Sequence, residues 1–117
     1  MAHEWIDAYC LSLKNATKDY QPEWEATRYF IGGKMFAMIG EDKAKRSIIT
    51  LKSDPVEAVV LREKYKDIYP GYYMNKRLWN SIDLNGDVPV TTMQEMIADS
   101  YELVLSKLSQ KLQKTLR

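Results

Sequence analysis

Residues 70–80 read PGYYMNKRLWN and gather the side chains of this chain best suited to chemistry. They hold three aromatic rings (Tyr72, Tyr73, Trp79), two adjacent cations (Lys76, Arg77) and two amides (Asn75, Asn80), all behind a Pro70-Gly71 turn. Exposed rings stack on bases or sugars while neighbouring cations meet phosphates, so such a stretch can form a nucleic-acid surface. The same residues can equally form a self-tied loop, with Tyr72 and Trp79 as anchors and the amides satisfying backbone groups. Residue chemistry leaves both readings open. A second set of cations, Lys34, Lys43, Lys45, Arg46 and Lys52, lies between residues 34 and 52 against Glu41 and Asp42, a local charge of +3. Residues 1–33 carry −2 and the whole chain +1, short of the balance of a strongly basic nucleic-acid binder.

Other chemistries find little support. The one histidine, His3, lies near the terminus, a poor place for the base of a nucleophilic triad. One cysteine, Cys10, excludes an intramolecular disulfide; in its apolar stretch it reads as a small buried residue. One histidine and one cysteine cannot furnish a zinc site. Gly32-Gly33 joins two strand-like runs instead of opening a helix, so it is a turn and not a phosphate cradle. Asp83 and Asp87 flank a turn, and D-x-N-G-D is too short for a calcium loop. The chain is therefore expected to be no enzyme, with no metal, no cofactor and no small-molecule substrate in evidence. No apolar run approaches the roughly 20 residues of a spanning helix, and residues 1–10 have no signal-peptide pattern, so no membrane association and a cytoplasmic location are expected.

The elements that must position these residues follow from periodicity. Its 117 residues, 45% hydrophobic and 28% charged, suit a single domain over residues 1–117. Trp5, Tyr9 and Leu13, four apart, with Ile6 and Cys10 beside them, predict a helix over 4–13. Residues 15–22 are polar, end in proline and read as a loop. Residues 24–31 and 34–39 are rich in strand formers around the Gly32-Gly33 turn, and 47–52 form a third strand after a charged turn. Asp54-Pro55-Val56-Glu57 opens a helix to about residue 64, with Asp54 as cap. Residues 78–84 alternate as a fourth strand. Thr92-x-x-Glu95 matches a capping box, before a long stripe of Met93, Met96, Ile97, Tyr101, Val104, Leu108 and Leu112, with Lys107, Lys111 and Lys114 near its end. The order is α-β-β-β-α-β-α: an α+β fold, with a three-strand meander and a later strand in one antiparallel sheet and helices packed on one face.

Several stretches carry a family resemblance: AYCLSL (8–13), WEATRYFIGGKMFAMI (24–39), LKSDPVEAVVLREKY (51–65), PGYYMNKRLWNSIDLNGDVP (70–89) and DSYELVLSKL (99–108). The fourth of these contains the most distinctive string, MNK-x-x-W-x-x-x-x-L-x-G. Together they resemble the MmcQ/YjbR family of small bacterial proteins over essentially the whole chain. The resemblance implies a CyaY-like fold, related in shape to frataxin, and DNA binding through a sheet arrangement likened to a double wing. The matching positions are Tyr72, Asn75, Lys76, Trp79 and Asn80, with Lys52. The family often has histidine where this chain has Tyr73 and Leu78, so an imidazole role there does not transfer. The acidic ridge of frataxins is not reproduced either: Glu4, Asp7, Asp19, Glu23 and Glu25 are spread out.

DNA is accordingly the expected partner, with Lys34, Lys43, Lys45, Arg46, Lys52, Lys76 and Arg77 on phosphates and Tyr73 adding a stacking or hydroxyl contact. Pro70, Gly71, Tyr72, Asn75, Trp79 and Asn80 form a structural signature. The alternative is a protein-interaction or regulatory module using the 70–80 loop, since aromatic, Met and Arg residues are common in interface cores. Charge geometry separates the two: cations on one face favour DNA, scattered cations beside exposed Tyr72, Tyr73 and Met74 favour a protein partner.

Overall fold

The computed structural model describes residues 3–71 and 75–117. Its described elements are α1 (Trp5–Ser12), β1 (Thr17–Gln21), β2 (Ala26–Ile31), β3 (Lys34–Glu41), β4 (Ser47–Lys52), α2 (Pro55–Lys64), β5 (Ile68–Pro70), β6 (Trp79–Asp83), α3 (Val90–Ser106) and α4 (Gln110–Leu116). The strands make one antiparallel sheet in the order β1-β2-β3-β4-β6-β5. The fold is α+β, with the expected β2-β3-β4 meander at its centre. Among the described residues no helix is long and apolar enough to cross a membrane.

Strand alternation sorts the sheet into two faces. Ile39, Ile49, Ile82 and Ile68 fall in register across four strands. They share the core with Ile6 and Cys10 of α1 and with Met93, Ile97, Tyr101 and Val104 of α3. Helix α2 lies in the same layer: Asn80 on the inner face donates from Nδ2 to the Ala58 carbonyl at 3.3 Å. Asp54 caps α2 by accepting from the N–H groups of Val56 and Glu57. Gly32 and Gly33 have φ of +59° and +80°, which suits the tight hairpin.

Phe36 is an extra residue in β3, because Tyr29 pairs with Ala37 while Phe30 pairs with Met35. This bulge turns the Phe36 carbonyl out of the ladder. Ser100, fully buried on α3, donates to that carbonyl at 2.5 Å and accepts from the Lys52 N–H at 2.9 Å. One hydroxyl thus joins α3 to two strands. The ring of Phe36 meets Tyr101 edge-on at 5.5 Å.

Five sequence expectations need correction. Residues 15–22 contain an edge strand, β1, whose five side chains are exposed or half-buried and so show no apolar alternation. Trp24 belongs to the turn before β2. Residues 68–70 form a second edge strand, β5, where a terminal proline removes no needed ladder donor. Helix α3 starts at Val90, with Pro89 at its N-cap, so Thr92 caps nothing; its hydroxyl lies 3.3 Å from that of Tyr65. The long C-terminal stripe breaks after Ser106. Ser109 then starts α4 by accepting the Leu112 N–H at 3.2 Å, and Leu108, Leu112 and Leu116 come round against Gly32. Lys107 therefore lies in the break and not inside a continuous helix.

Candidate nucleic-acid interface

The 70–80 segment ties β5 to β6. The Gly71 N–H donates to the Trp79 carbonyl at 2.7 Å. A Cβ on Gly71 would lie 2.7 Å from the Trp79 Cβ and 3.0 Å from its carbonyl oxygen, so only glycine fits this approach. The Asn75 carbonyl accepts from the N–H groups of Leu78 and Trp79, and its side chain accepts from the Arg77 N–H at 2.9 Å. Asn80 is fully buried; its Oδ1 accepts from Arg62 Nε at 2.6 Å. Arg62 also donates to the Lys76 carbonyl, so it fixes the loop to α2. Tyr72 and Tyr73, named as signature and contact residues, lie outside the described residues, as does Met74.

The outer face carries a row in register across six strands: Asp19, Arg28, Met38, Thr50, Ser81 and Tyr69. Each end of the row is an ion pair built on aromatic rings. At the β1 end Arg28 makes two hydrogen bonds to Asp19, at 2.8 and 2.6 Å, and lies 5.6 Å from the Trp24 ring and 5.2 Å from the Phe30 ring. At the β5 end Tyr69 donates to Asp42 Oδ2 at 2.9 Å, and Arg46 lies 4.6 Å from the Tyr69 ring and pairs with Asp42 at 2.7 Å. The Asp42 carboxylate also accepts the N–H groups of Ala44 and Arg46, which makes the β3–β4 turn an Asx turn. Burial opposes its charge, but the Arg46 N–H, the Tyr69 hydroxyl and the guanidinium outweigh it and hold the carboxyl below its ordinary range. Burial, and then the bond to Asp42, pushes the Tyr69 hydroxyl up.

Around this anchor lies an open hollow lined by Lys43, Arg46, Tyr69, Pro70 and Lys76. The structure therefore brings together Lys43, Arg46 and Lys76, two of them far apart in sequence from the third. Arg46 is partly neutralised by Asp42. The other cations lie elsewhere. Lys45, with φ of +66°, faces a neighbouring hollow with Glu23, Glu25 and Glu41. Lys34 starts β3, seven residues from Glu41, a separation of roughly 23 Å at the rise of a strand. Lys52 lines a cavity between α2 and α3 in the company of Asp54, Glu57, Asp99 and Glu102. Arg77 flanks Val56, Val59 and Val60 on α2. His3 is tied to the Leu84 carbonyl and packs edge-on to Trp5.

Sequence reasoning passed over Tyr69, Arg28 and Asp19 as members of a shared face. Arg28 was visible as a polar residue between the strand formers Thr27 and Tyr29, but its partner lay in a segment read as loop. For Asp42 the signal was the run Asp42-Lys43-Ala44, a short polar turn after a strand.

Fold and face together define a small α+β protein whose helices pack on the inner face of the sheet and whose outer row has Met38, Thr50 and Ser81 buried at its centre, between the two ion pairs. Residues 11–103 match the YjbR family. The chain belongs to that family. It is 28% identical to the Uncharacterized protein YjbR of Escherichia coli K12 over 108 residues, covering 92% of this chain and 91% of that protein. It is 34% identical to the Uncharacterized protein YbdF of Escherichia coli O157:H7 over 98 residues, 84% of this chain and 78% of that protein. In structure it resembles the Deinococcus radiodurans protein DR2400, with a TM-score of 0.85, 26% identity and coverage of 94% and 83% of the two chains. A Pseudomonas syringae protein shares the fold at a TM-score of 0.77 and 24% identity, over 88% of this chain and 98% of its own.

Proposed function

We propose that the protein is a non-enzymatic DNA-binding protein of the bacterial cytoplasm that meets backbone phosphates at the β5 end of its outer sheet face. The observation that carries this reading is the convergence of Lys43, Arg46 and Lys76 on one hollow. Asp42 and the Tyr69 ring hold Arg46 in place, and Tyr69 and Pro70 give the hollow an apolar wall against which a sugar or base can rest. Lys34, Lys45, Lys52 and Arg77 point to other surroundings and contribute little. Three cations set against one carboxylate give weak, salt-sensitive binding without base readout.

Fluorescence anisotropy of a labelled random-sequence duplex at about 50 and 200 mM salt tests it, because that range exposes phosphate contacts. The parent should bind at the lower salt and lose affinity at the higher. Lys43→Ala with Lys76→Ala should weaken binding by about tenfold or more at low salt, since two counterion-releasing contacts are lost. An absence of binding at low salt, or a double variant that binds like the parent, overturns the assignment.

A second reading, a protein-interaction module, is favoured by one observation. Val56, Val59 and Val60 form an apolar face on α2 beside Arg77, and Val56 is 73% exposed. If duplex binding fails while Val56→Ser with Val59→Ser alters co-purifying partners, this reading replaces the first.

A further inference from the structure

A cavity of about 310 Å³ lies between α2 and α3, on the helical side of the molecule and away from the Lys43–Lys76 hollow. Its floor is apolar, made by Leu61, Met96 and Leu103. Its rim carries Asp54, Glu57, Asp99, Glu102 and Lys52. Helix geometry explains the convergence: Glu57 and Leu61 are one turn apart on α2, while Met96, Asp99 and Leu103 follow one stripe of α3. The size is at the lower end of small-ligand sites, and the mixture of apolar floor and few charged groups is typical of them.

The rim charges are unequal in their engagement. Asp54 already accepts two N–H groups of α2, and Glu102 pairs with Arg117 at 2.7 Å. Glu57, Asp99 and Lys52 form no ion pair among the described residues. Burial, and then repulsion from Glu95, raises the Asp99 carboxyl above its ordinary range, so this group gains from an incoming positive charge. Among the described residues no cluster of three or more His, Cys, Asp or Glu side chains could hold a metal ion. The cavity therefore offers separated charges around hydrocarbon, which suits an organic cation and not a bare metal ion. Lys52 offsets one carboxylate, leaving room for one ammonium and opposing a polyamine.

We propose that this cavity binds a single alkylammonium group, with the hydrocarbon on Leu61, Met96 and Leu103 and the ammonium between Glu57 and Asp99. Two sources share that chemistry, a free aliphatic amine and a lysine side chain of a partner protein. The site is independent of DNA binding.

Isothermal titration of the full chain with hexylamine, hexanol, hexanoate and Nα-acetyl-lysine methylamide tests the proposal. Hexylamine should bind saturably, and hexanol and hexanoate should bind at least about tenfold more weakly, the scale of one charge-assisted contact. Glu57→Gln with Asp99→Asn should weaken hexylamine by a similar factor. Its urea midpoint should change little, because relief at Asp99 offsets the loss of the Glu57 charge from the first turn of α2. Lys52→Gln should tighten hexylamine and admit spermidine. Binding of the capped lysine as well assigns the source to a partner's side chain; binding of hexylamine alone assigns it to a free amine. Hexanol binding as well as hexylamine, unchanged affinity in the Glu57/Asp99 variant, or no saturable heat from hexylamine overturns the proposal.

Discussion

At the scale of single residues, Ser100 and Asp42 each tie together separate parts of the chain. Ser100→Ala would leave the Phe36 carbonyl and the Lys52 N–H buried without their partner. A loss of about 1–3 kcal/mol follows, the cost of unsatisfied buried groups. Urea unfolding at pH 7 reads it directly, and an unchanged midpoint would mean that the bulge carbonyl finds another donor. Asp42 acts through its charge. Its folded carboxyl lies below the value of about 4 expected in the unfolded chain, so it stabilises the fold above that pH and loses the contribution as acid protonates it. Asp42→Asn should lower stability at pH 7, and the gap between variant and parent should narrow below about pH 4, where the parent carboxyl protonates too. A gap that stays constant between pH 7 and pH 3 would show that Asp42 works by hydrogen-bond geometry alone. Cys10 belongs to the same scale: burial, helped by Asp7, pushes its thiol up to about 12, in line with the small buried residue expected from its apolar surroundings.

At the scale of elements, the weak joins are the turns. Gly71 is required by the approach of the Trp79 backbone, not by a positive φ. Gly71→Ala forces backbone atoms of β5 and β6 apart, an overpacking that costs about 1–3 kcal/mol. The urea midpoint should drop accordingly, and a variant as stable as the parent would show that the β5–β6 connection absorbs the methyl. The elements also mark where periodicity stops being informative. The meander 26–52 and helix α2 were legible because their apolar alternation and the Asp54-Pro55 start agree with the final packing. Strand β1 was not legible, since an edge strand with exposed side chains has no apolar face to display. The C-terminal stripe misled for the opposite reason: Leu108 and Leu112 keep helical spacing, yet they serve a second helix that turns back over Gly32.

At the scale of the molecule, the distribution of charge is decisive. The basic residues between 34 and 52 lie on one stretch of chain, but β3 carries Lys34 and the 43–46 turn to opposite ends of the sheet. If DNA meets only Lys43, Arg46 and Lys76, the slope of log affinity against log salt should be about −2 to −3, at roughly 0.9 per phosphate. A slope near −6, by the same rule for all seven predicted basic contacts, would mean that the duplex wraps the protein and that the single cluster is too narrow a description. The sequence by itself determined the α+β class, the central meander, the capped second helix and the family, because these follow from local periodicity, turn chemistry and linear motifs. Only the tertiary structure decided which cations are neighbours. Lys43 and Lys76 line one hollow because the 42–46 turn is held against β5, through the Tyr69 hydroxyl on Asp42 and the Tyr69 ring under Arg46, while Lys52, one residue from the sheet's inner row, ends among carboxylates of two helices. Proximity of that kind depends on strand order and register, and neither is written in the spacing of the charged residues themselves.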